Sequence, residues 1–303
     1  MTDGPLIFDR ALVRARRRRA ALLGPAVFLL DRVADDLAER LGAVLRRFEL
    51  AADIGTPGDA VRAALARLGS VGSIVTVDAV PEARGPGAGT IPNLVVADEE
   101  TLPFRDASLD LAVSALALQF VNDLPGALVQ IRRALKPDGL FLAALVGGET
   151  LTELRQAFAA AESDVEGGAS PRVAPFADVR VIGNLLQRAG FALPVADSDR
   201  YTLRYASPFA LMTELQRMGA TNALMARRRT PLRRTTLLRM AKIYRERFAD
   251  ADGRVRATFD IVWLSGWAPH PNQQQPLKPG SAHSRLADAL GSREISAGEK
   301  AGR

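Results

Sequence analysis

The amino-acid sequence predicts an α/β protein with a doubly wound, mostly parallel sheet of seven strands, a helical insertion and an antiparallel edge strand. From residue 48 onward, short apolar runs alternate with amphipathic helical segments. This alternation is typical of right-handed βαβ units with helices on both faces of the sheet. The chain has 303 residues, 48% of them hydrophobic, which is enough to bury the core of one large domain. Aspartates also follow the first three predicted strands at intervals of one βα repeat.

The first half of the chain supplies most of the predicted sheet. A helix is expected over 26–47, because Leu30, Val33 and Leu37 recur at helical spacing. Two further helices lie between strands, one ended by Gly69 and one over 124–135, before the turn residues 136–139. The predicted strands are 48–53, 73–78, 94–98, 109–114 and 140–146.

The second half is more helical and completes the sheet. Strands over 200–205 and 258–265 are expected to pair at the sheet edge, where an antiparallel strand is common. The predicted helices are 149–163, 177–189, 207–219 and 231–249. The predicted parts of the chain are a basic helical segment over 1–47, a ligand-binding domain over 48–267 with a helical lid over 207–249, and a disordered tail over 268–303.

Composition excludes several classes of chemistry. The chain has no cysteine, which rules out disulfide scaffolds, thiolate zinc sites, iron–sulfur clusters and a cysteine nucleophile. His270 and His283 are the two histidines, and both lie in the polar tail. We therefore expect no metal site, and we expect the chemistry to come from carboxylates, amides, aromatic groups or a bound cofactor.

Arginine is concentrated in two runs. Residues 10–30 hold six Arg and no acid, and residues 217–247 hold ten basic residues and one acid, in a chain of net charge +6. One interpretation is that these runs are solvated helix faces. The other is that they dock an acidic partner or make peripheral contact with an anionic membrane surface. Nucleic acid is not the expected partner, since both runs lack the aromatic platforms of single-strand binding.

No segment of the sequence is long enough to span a bilayer. The apolar run 20–30 is eleven residues long, against roughly 18 or more for a transmembrane helix. The arginines before it imitate the charged start of a signal peptide, but no convincing cleavage site follows. We expect a soluble protein located in the bacterial cytoplasm, or in the mitochondrial matrix if the source is eukaryotic.

Three aspartates mark a candidate ligand crevice. Asp53, Asp78 and Asp98 close successive predicted strands, 25 and 20 residues apart, so their carboxylates should converge beyond the carboxyl ends of the sheet. Asp78 lies twenty residues after Gly58, where an acid can accept both ribose hydroxyls of a nucleoside. Taken singly, each aspartate has an ordinary alternative as a helix cap or turn residue. Their repetition at one topological position favours a nucleoside-type site.

The neighbouring residues narrow the ligand class. Gly55 and Gly58 are expected to let the backbone approach the ligand, because a Cβ there would clash. Asp98 with Glu99 could meet the exocyclic amine of an adenine. The segment 55–59 does not supply the G-x-G-x-x-G pattern of dinucleotide sites, and Asp59 would put negative charge where a pyrophosphate should sit. A cationic, phosphate-free cofactor such as S-adenosyl-L-methionine (SAM) suits the crevice better than NAD.

Several segments resemble, in order, the motifs of class I SAM-dependent methyltransferases of the type-11 kind. The matching segments are Asp53-Ile54-Gly55, Asp78, Val96-Ala97-Asp98-Glu99-Glu100-Thr101-Leu102-Pro103-Phe104, Asp110-Leu111-Ala112-Val113-Ser114 and Leu135-Lys136-Pro137-Asp138-Gly139. The resemblance implies a Rossmann-like methyltransferase fold and SAM as the cofactor. It also implies cofactor-binding roles for Asp53, Gly55, Gly58, Asp78, Ala79, Asp98, Glu99, Ser114 and Ala115, and it identifies no catalytic residue.

Further segments resemble a branch of this fold, the mitochondrial respiratory complex I assembly factors reported as protein arginine hydroxylases, with their bacterial relatives. These segments are Ile7-Phe8-Asp9-Arg10, Val121-Asn122-Asp123-Leu124-Pro125, Gly147-Gly148-Glu149-Thr150-Leu151, Glu166-Gly167-Gly168 and Ser265-Gly266-Trp267. The resemblance covers residues 7–267 and implies a protein substrate, in particular a complex I subunit modified at arginine by hydroxylation or methyl transfer. It implies no particular oligomeric state.

Two alternatives stay open beside this branch. One is carboxyl methylation of an acyl-carrier substrate, as in the biotin-pathway relatives of the fold. The other is a SAM-binding assembly scaffold that has lost catalysis, because the usual cofactor loop has glycine at three alternate positions and this chain has Pro57 and Asp59 at the second and third. Proline has no N–H to donate, so the loop would hold the methionine part of the cofactor differently.

Overall fold

The protein folds around one seven-stranded sheet. A computed structural model describes residues 6–81, 92–273 and 290–292 of the chain. The strand order is β3-β2-β1-β4-β5-β7-β6, and β7 runs antiparallel to both of its neighbours while the other pairs along β3 to β5 are parallel. The strands are β1 (Phe48–Ile54), β2 (Val71–Val77), β3 (Leu94–Val95), β4 (Leu109–Ala115), β5 (Leu135–Val146), β6 (Ala192–Tyr205) and β7 (Val255–Trp267). The predicted fold class is confirmed.

Eight α-helices accompany these strands in the part of the chain that the structure describes. They are α1 (Arg10–Leu22), α2 (Phe28–Gly42), α3 (Ala60–Leu68), α4 (Leu124–Ala134), α5 (Thr152–Glu166), α6 (Val179–Arg188), α7 (Pro208–Arg217) and α8 (Arg234–Phe248). Asp9 begins α1 by accepting a hydrogen bond from the Leu12 amide at 3.0 Å. Gly69 ends α3 with a φ of +67°, as the sequence predicts.

Some predicted elements differ in extent or position. The helix expected over 26–47 ends at Gly42. The strand expected over 94–98 keeps two paired residues, because beyond Val95 the chain turns into the Asp98–Thr101 bridge. Strand β5 begins earlier than expected, at Leu135, and accommodates the turn residues through a register irregularity opposite β4. The antiparallel strand is β7, which lies one place inside the edge strand β6.

Helices cover both faces of the sheet and extend beyond one end. On one face, α2 and α3 bury Leu37, Leu41 and Leu65 against the strands and Trp263. On the other face, α4 and α6 pack through Leu128 and Leu186, among other apolar residues. A third apolar cluster joins α5, α7 and α8 to the ends of β6 and β7. The burial of both sheet faces explains why its central strands are almost continuously apolar.

The structure divides into a unit that ends at Pro269 and a segment that begins at His270. Of that segment it describes 270–273 and 290–292, so most of the tail predicted to be disordered, including His283, lies outside the described residues. Within the described ranges, no helix combines the length and the apolar character that crossing a bilayer requires.

Candidate functional site

The loop after β1 forms one wall of the candidate site. Asp53 lies within β1 opposite Thr76 and Val113, and it is fully buried. Gly55 and Gly58 have φ values of +72° and +76°, a region that favours glycine. A Cβ added to Gly55 would lie 2.6 Å from the Glu99 side chain, whereas one added to Gly58 would meet nothing within 4 Å. The backbone conformation therefore favours glycine at both positions, and the predicted close approach of a ligand to Gly55 and Gly58 stays a prediction.

Asp78 follows β2 with its side chain fully buried. Its Oδ1 accepts a hydrogen bond from the Val80 amide at 2.9 Å and lies 3.0 Å from Nη2 of Arg17. The next residue, Ala79, is half-buried. Asp78 is thus a fixed acceptor at the carboxyl end of the sheet, and its electrostatic partner comes from α1.

Asp98 and Glu99 lie beyond β3. The Asp98 Oδ1 accepts from the Glu100 amide and from Nη2 of Arg10, at 2.9 and 2.8 Å, while Oδ2 pairs with Arg14. Glu99 is buried, pairs with Arg10 and lies 3.9 Å from Nη1 of Arg17. Burial by itself would raise the pKa of Asp98, but the Glu100 amide and the two arginines lower it below its ordinary value.

Helix α1 thus supplies the cations that pair with the crevice acids. Arg10, Arg14 and Arg17 follow an i, i+4, i+7 spacing that places them on one helix face. Arg10 bridges Asp98 and Glu99, and Arg17 bridges Asp78 and Glu99. The sequence predicts a basic segment here, but the pairing of its arginines with these acids was not predicted. The spacing of the three arginines was the signal that could have revealed it.

Ser114 and Ala115 shape the site from behind. The Ser114 hydroxyl donates to the Ile54 carbonyl at 2.7 Å, and the Ala115 amide donates to Oγ1 of Thr56 at 3.0 Å. Both bonds tie the end of β4 to the loop after β1. These contacts fix the loop, and the direct cofactor contact that the resemblance implies for both residues stays a prediction.

A cavity of about 290 Å³ lies between α1 and the carboxyl ends of the strands, and we call it the cofactor cavity. It is close to the lower end of the usual range for small-molecule sites, about 300–1,000 Å³. Of the predicted residues, Gly55, Gly58 and Glu99 line it; Asp53, Asp78, Ala79, Asp98, Ser114 and Ala115 lie outside its lining. Pro57, Asp59, Arg10 and Arg17 also line it, so both departures from the usual loop face this space.

Gln119 is a site residue to which the sequence reading gave no role. It lies in a short 3-10 helix after β4 and lines the cofactor cavity. Its Nε2 donates to the Leu116 carbonyl at 2.8 Å, which leaves Oε1 as a buried acceptor with no hydrogen-bond partner among the described residues. The adjacent Phe120 contacts the rings of Phe8 and Phe176 edge to face.

The predicted lid segment contributes unequally to the cavity. Leu215 and Arg217 at the end of α7, with the turn residues 218–220, line the cofactor cavity. Helix α8 instead packs on α5 through Met240 and Tyr244 and contributes no residue to the lining of this cavity. Among the described residues, no group of three or more His, Asp or Glu side chains is arranged to hold a metal ion.

Comparison with known proteins identifies the family. The methyltransferase domain profile Methyltransf_11 matches residues 52–143. The mitochondrial arginine-hydroxylase NDUFAF5 of Danio rerio is 39% identical over 290 residues, which cover 94% of this chain and 90% of the relative. The malonyl-[acyl-carrier protein] O-methyltransferase of Halorhodospira halophila is 38% identical over 267 residues, 86% of this chain and 88% of the relative.

A solved structure supports the fold independently of sequence. A candidate methyltransferase of Bacillus halodurans superposes with a TM-score of 0.53 at 15% identity, covering 78% of this chain and 99% of that one. At this identity the likeness concerns the fold alone. With the sheet order, the profile match and the two long alignments taken together, the chain belongs to the class I SAM-dependent methyltransferase family, as an enzyme related both to the NDUFAF5 arginine hydroxylases and to the malonyl-[acyl-carrier protein] methyltransferases.

Proposed function

We propose that the chain binds SAM in the cofactor cavity and modifies an arginine of a protein substrate, a subunit of respiratory complex I, during assembly of that complex. The observation that carries this proposal is the 39% identity to the NDUFAF5 arginine hydroxylase over 94% of the chain. The proposal places the protein in the bacterial cytoplasm, or in the matrix of a mitochondrion. Its chemistry is methyl transfer from SAM to the arginine; hydroxylation of the same residue would in addition require an oxidant that supplies the oxygen atom, such as dioxygen.

The residues around the cavity fit such a cofactor. Glu99 lines the cavity and offers an acceptor for an adenine amine. Asp78 and Asp98 lie outside the lining, next to Arg17 and Arg10, and they reach a ribose or an adenine only if these arginines move. Arg10 and Arg17 line the cavity and supply positive charge for a carboxylate. Gly55 lets the loop backbone come close to the ligand, since no side chain stands there. Because Arg17 already pairs with Asp78, bound ribose has to share that carboxylate with it or displace it.

The chain's own contribution to the reaction is positioning. When bound, SAM supplies an already activated methyl group on its sulfonium. Leu116, Phe120 and Leu151 give the cavity an apolar wall that excludes water from the reacting groups. The buried Oε1 of Gln119 is an acceptor that can orient a donor group of the cofactor or of the substrate. We assign no general base.

A second candidate function is carboxyl methylation of an acyl-carrier substrate. It is favoured by the 38% identity to the malonyl-[acyl-carrier protein] O-methyltransferase over 86% of the chain. A third reading, an assembly scaffold without catalysis, rests on Pro57 and Asp59, which face the cavity where the usual loop has glycine. The three candidate functions differ in whether the chain catalyses a modification and in what it modifies.

Mass spectrometry of the purified, unsupplemented protein tests cofactor binding. We expect SAM or S-adenosylhomocysteine to copurify in a substantial fraction of the molecules, and SAM added in titration calorimetry to bind a preparation stripped by partial unfolding and refolding. Absence of binding by both measurements would contradict the SAM proposal.

Peptide mapping of complex I from a deletion strain tests the substrate. We expect one arginine to lose its modification in the deletion strain and to regain it on complementation with the wild-type chain, but not with Asp78→Asn. If the arginines are modified identically with and without the gene, the arginine proposal is wrong. Methylation of a purified malonylated acyl-carrier protein would then select the second candidate.

A further inference from the structure

A second cavity adjoins the cofactor cavity. Its volume is about 240 Å³, and we call it the side cavity. The residues that line both cavities are Phe120, Leu151, Phe176, Leu215 and Ala220. The rings of Phe120 and Phe176, 6.4 Å apart, belong to this shared wall. One layer of side chains therefore separates the two spaces. Group transfer needs the reacting atoms to touch, so a side chain of this shared wall has to move before a ligand in one cavity can react with a ligand in the other.

The side cavity is mainly apolar but contains two guanidinium groups. Leu154, Phe158 and Met212 supply apolar lining, and Arg16 and Arg172 supply the charge. Arg172 is neutralised within the fold. Its Nε donates to Oε1 of Glu162 at 2.8 Å, and the Glu162 side chain is fully buried. Arg16 is the cation whose role the fold does not explain.

Arg16 has no carboxylate within ion-pair distance among the described residues, and its Nη1 is buried without a hydrogen-bond partner there. Asp9, the acid that stabilises its charge, is held by Nη2 of Arg227 at 3.0 Å and by the Leu12 amide. Burial and the positive charge of Arg227 lower the pKa of Arg16. Arginine nevertheless stays protonated, so the fold carries an unmatched, partly buried positive charge beside a cavity.

We propose that the side cavity binds the substrate, and that Arg16 pairs there with a carboxylate at the end of a short aliphatic arm. This inference rests on the proposed function, because it takes the neighbouring cavity to hold the cofactor. One unmatched positive charge balances one carboxylate, while a phosphate dianion would keep an excess charge in an apolar space. The apolar lining suits the carbons of the arm.

Such a carboxylate has two sources. It is either an acidic side chain next to the modified residue of a protein substrate or the terminal carboxylate of an acyl arm. A substrate arginine would meet the like charge of Arg16 in this cavity. The inference therefore places an acid, rather than the target arginine, beside Arg16, and it favours the acyl-carrier candidate if that acid is itself the methyl acceptor.

Ligand-observed NMR titration of the full chain tests the assignment. The probes are monomethyl glutarate for the acyl arm, N-acetylglutamate amide for the acidic side chain, and neutral dimethyl glutarate. We expect one of the acidic probes to bind the wild type at least about 10-fold more tightly than Arg16→Gln, the loss typical of a hydrogen bond to a charged group. Neutral dimethyl glutarate should bind the wild type and Arg16→Gln with the same affinity.

Arg19→Gln is the matched control, because Arg19 lies one turn further along α1 and is exposed. It should bind the probes as the wild type does, and both variants should keep the wild-type affinity for SAM. If both acidic probes bind Arg16→Gln as tightly as the wild type, the inference is overturned. SAM affinity is titrated separately from the carboxylate probes. If the wild type fails to bind SAM, the proposed function is contradicted, while the carboxylate titration still tests the role of Arg16.

Thermal unfolding distinguishes a substrate-binding role of Arg16 from a structural one. Because Nη1 of Arg16 has no partner in the described fold, Arg16→Gln should unfold at the same temperature as the wild type or at a higher one. A clear decrease, with no decrease for Arg19→Gln, would show that Arg16 stabilises the fold and would count against a substrate role.

Discussion

Asp78 is the predicted acceptor of the ribose hydroxyls, and its ion-pair partner Arg17 lines the cofactor cavity. Its carboxylate is fully buried at the end of β2 and is oriented by the Val80 amide. Hydrogen bonds to a charged acceptor contribute about 1.5–3 kcal/mol, so Asp78→Asn should weaken SAM binding by roughly 10- to 150-fold. The asparagine oxygen can still accept from Val80, which keeps the loop in place. Titration calorimetry measures the change.

The control for Asp78 is Asp106→Asn, since Asp106 is an exposed carboxylate that pairs with Arg133 away from the cavity. This variant should bind SAM as the wild type does. An unchanged dissociation constant in Asp78→Asn would remove Asp78 from the site.

Pro57 and Asp59 should limit cofactor affinity. Both line the cavity, Pro57 donates no backbone hydrogen bond, and Asp59 adds negative charge at the start of α3. We expect the double variant Pro57→Gly, Asp59→Gly to bind SAM several-fold more tightly, because each change removes one obstacle. Calorimetry checks this directly. Weaker binding would mean that the loop has an arrangement of its own, and the scaffold reading would lose its main support.

At the scale of elements, α1 closes the crevice through ion pairs that compete with the cofactor. Arg17→Gln removes the cation that contacts buried Asp78, and breaking such a pair costs about 3 kcal/mol. We expect the free variant to unfold at a lower temperature and to gain more stability from SAM than the wild type, because ribose no longer competes with Arg17. Calorimetric scans with and without SAM measure both effects.

A surface pair provides the comparison for Arg17. Arg67 and Asp35 are exposed and 2.9 Å apart, so Arg67→Gln should change stability by less than about 1 kcal/mol. If SAM stabilises Arg17→Gln no more than it stabilises the wild type, α1 does not compete with the cofactor.

The docking of α1 should also depend on pH. The pKa of Asp98 is lowered in the folded state, so its ionised form adds stability at neutral pH, and this stability is lost as the pH falls through the folded-state pKa. We expect the free energy of unfolding to decline below about pH 4, the ordinary range of an aspartate. Urea denaturation from pH 7 to pH 3 should show a shallower decline in Asp98→Asn. An identical decline in the wild type and in Asp98→Asn would show that protonation of Asp98 is not its cause.

At the scale of the whole molecule, the second basic run is only partly a free surface. Arg227 pairs with Asp9 and Arg228 with Glu166, so reversing their charge would disturb the fold itself. A test of docking must therefore use exposed arginines outside the ion pairs of the described fold. Arg229, Arg234 and Arg245 meet this condition.

Reversing Arg229, Arg234 and Arg245 to Glu should abolish low-salt association with the partner while leaving SAM affinity unchanged, because the run attracts an acidic surface at long range. The measurement is binding of purified complex I subunits and of an acyl-carrier protein at two salt concentrations. Reversal of Arg180, Arg188 and Arg200 is the matched control, since these exposed residues give the same change in charge elsewhere. Equal binding by both triple variants would count against this surface.

Sequence periodicity predicted the sheet well but not the arrangement of its last strands. The apolar runs of β1, β2 and β4 are visible because both faces of these strands are buried. The place of β7 between β5 and β6 could not be read from local pattern, because it depends on the chain returning after α7 and α8 to pair with both strands. The brevity of β3 is likewise set by the turn at Asp98.

The sequence by itself determined the fold class and the placing of Asp53, Asp78 and Asp98 near the carboxyl ends of successive strands, because these follow from periodicity and spacing along the chain. The family followed from the resemblance of its motifs. Only the tertiary structure decided which cations face those acids, which arginines are held in internal ion pairs, and that Arg16 lies beside a second cavity without a carboxylate partner among the described residues. The physical reason is that charge pairing and burial depend on distances between elements far apart in the chain. Arg17 and Asp78 are separated by sixty residues of sequence but by 3.0 Å in space.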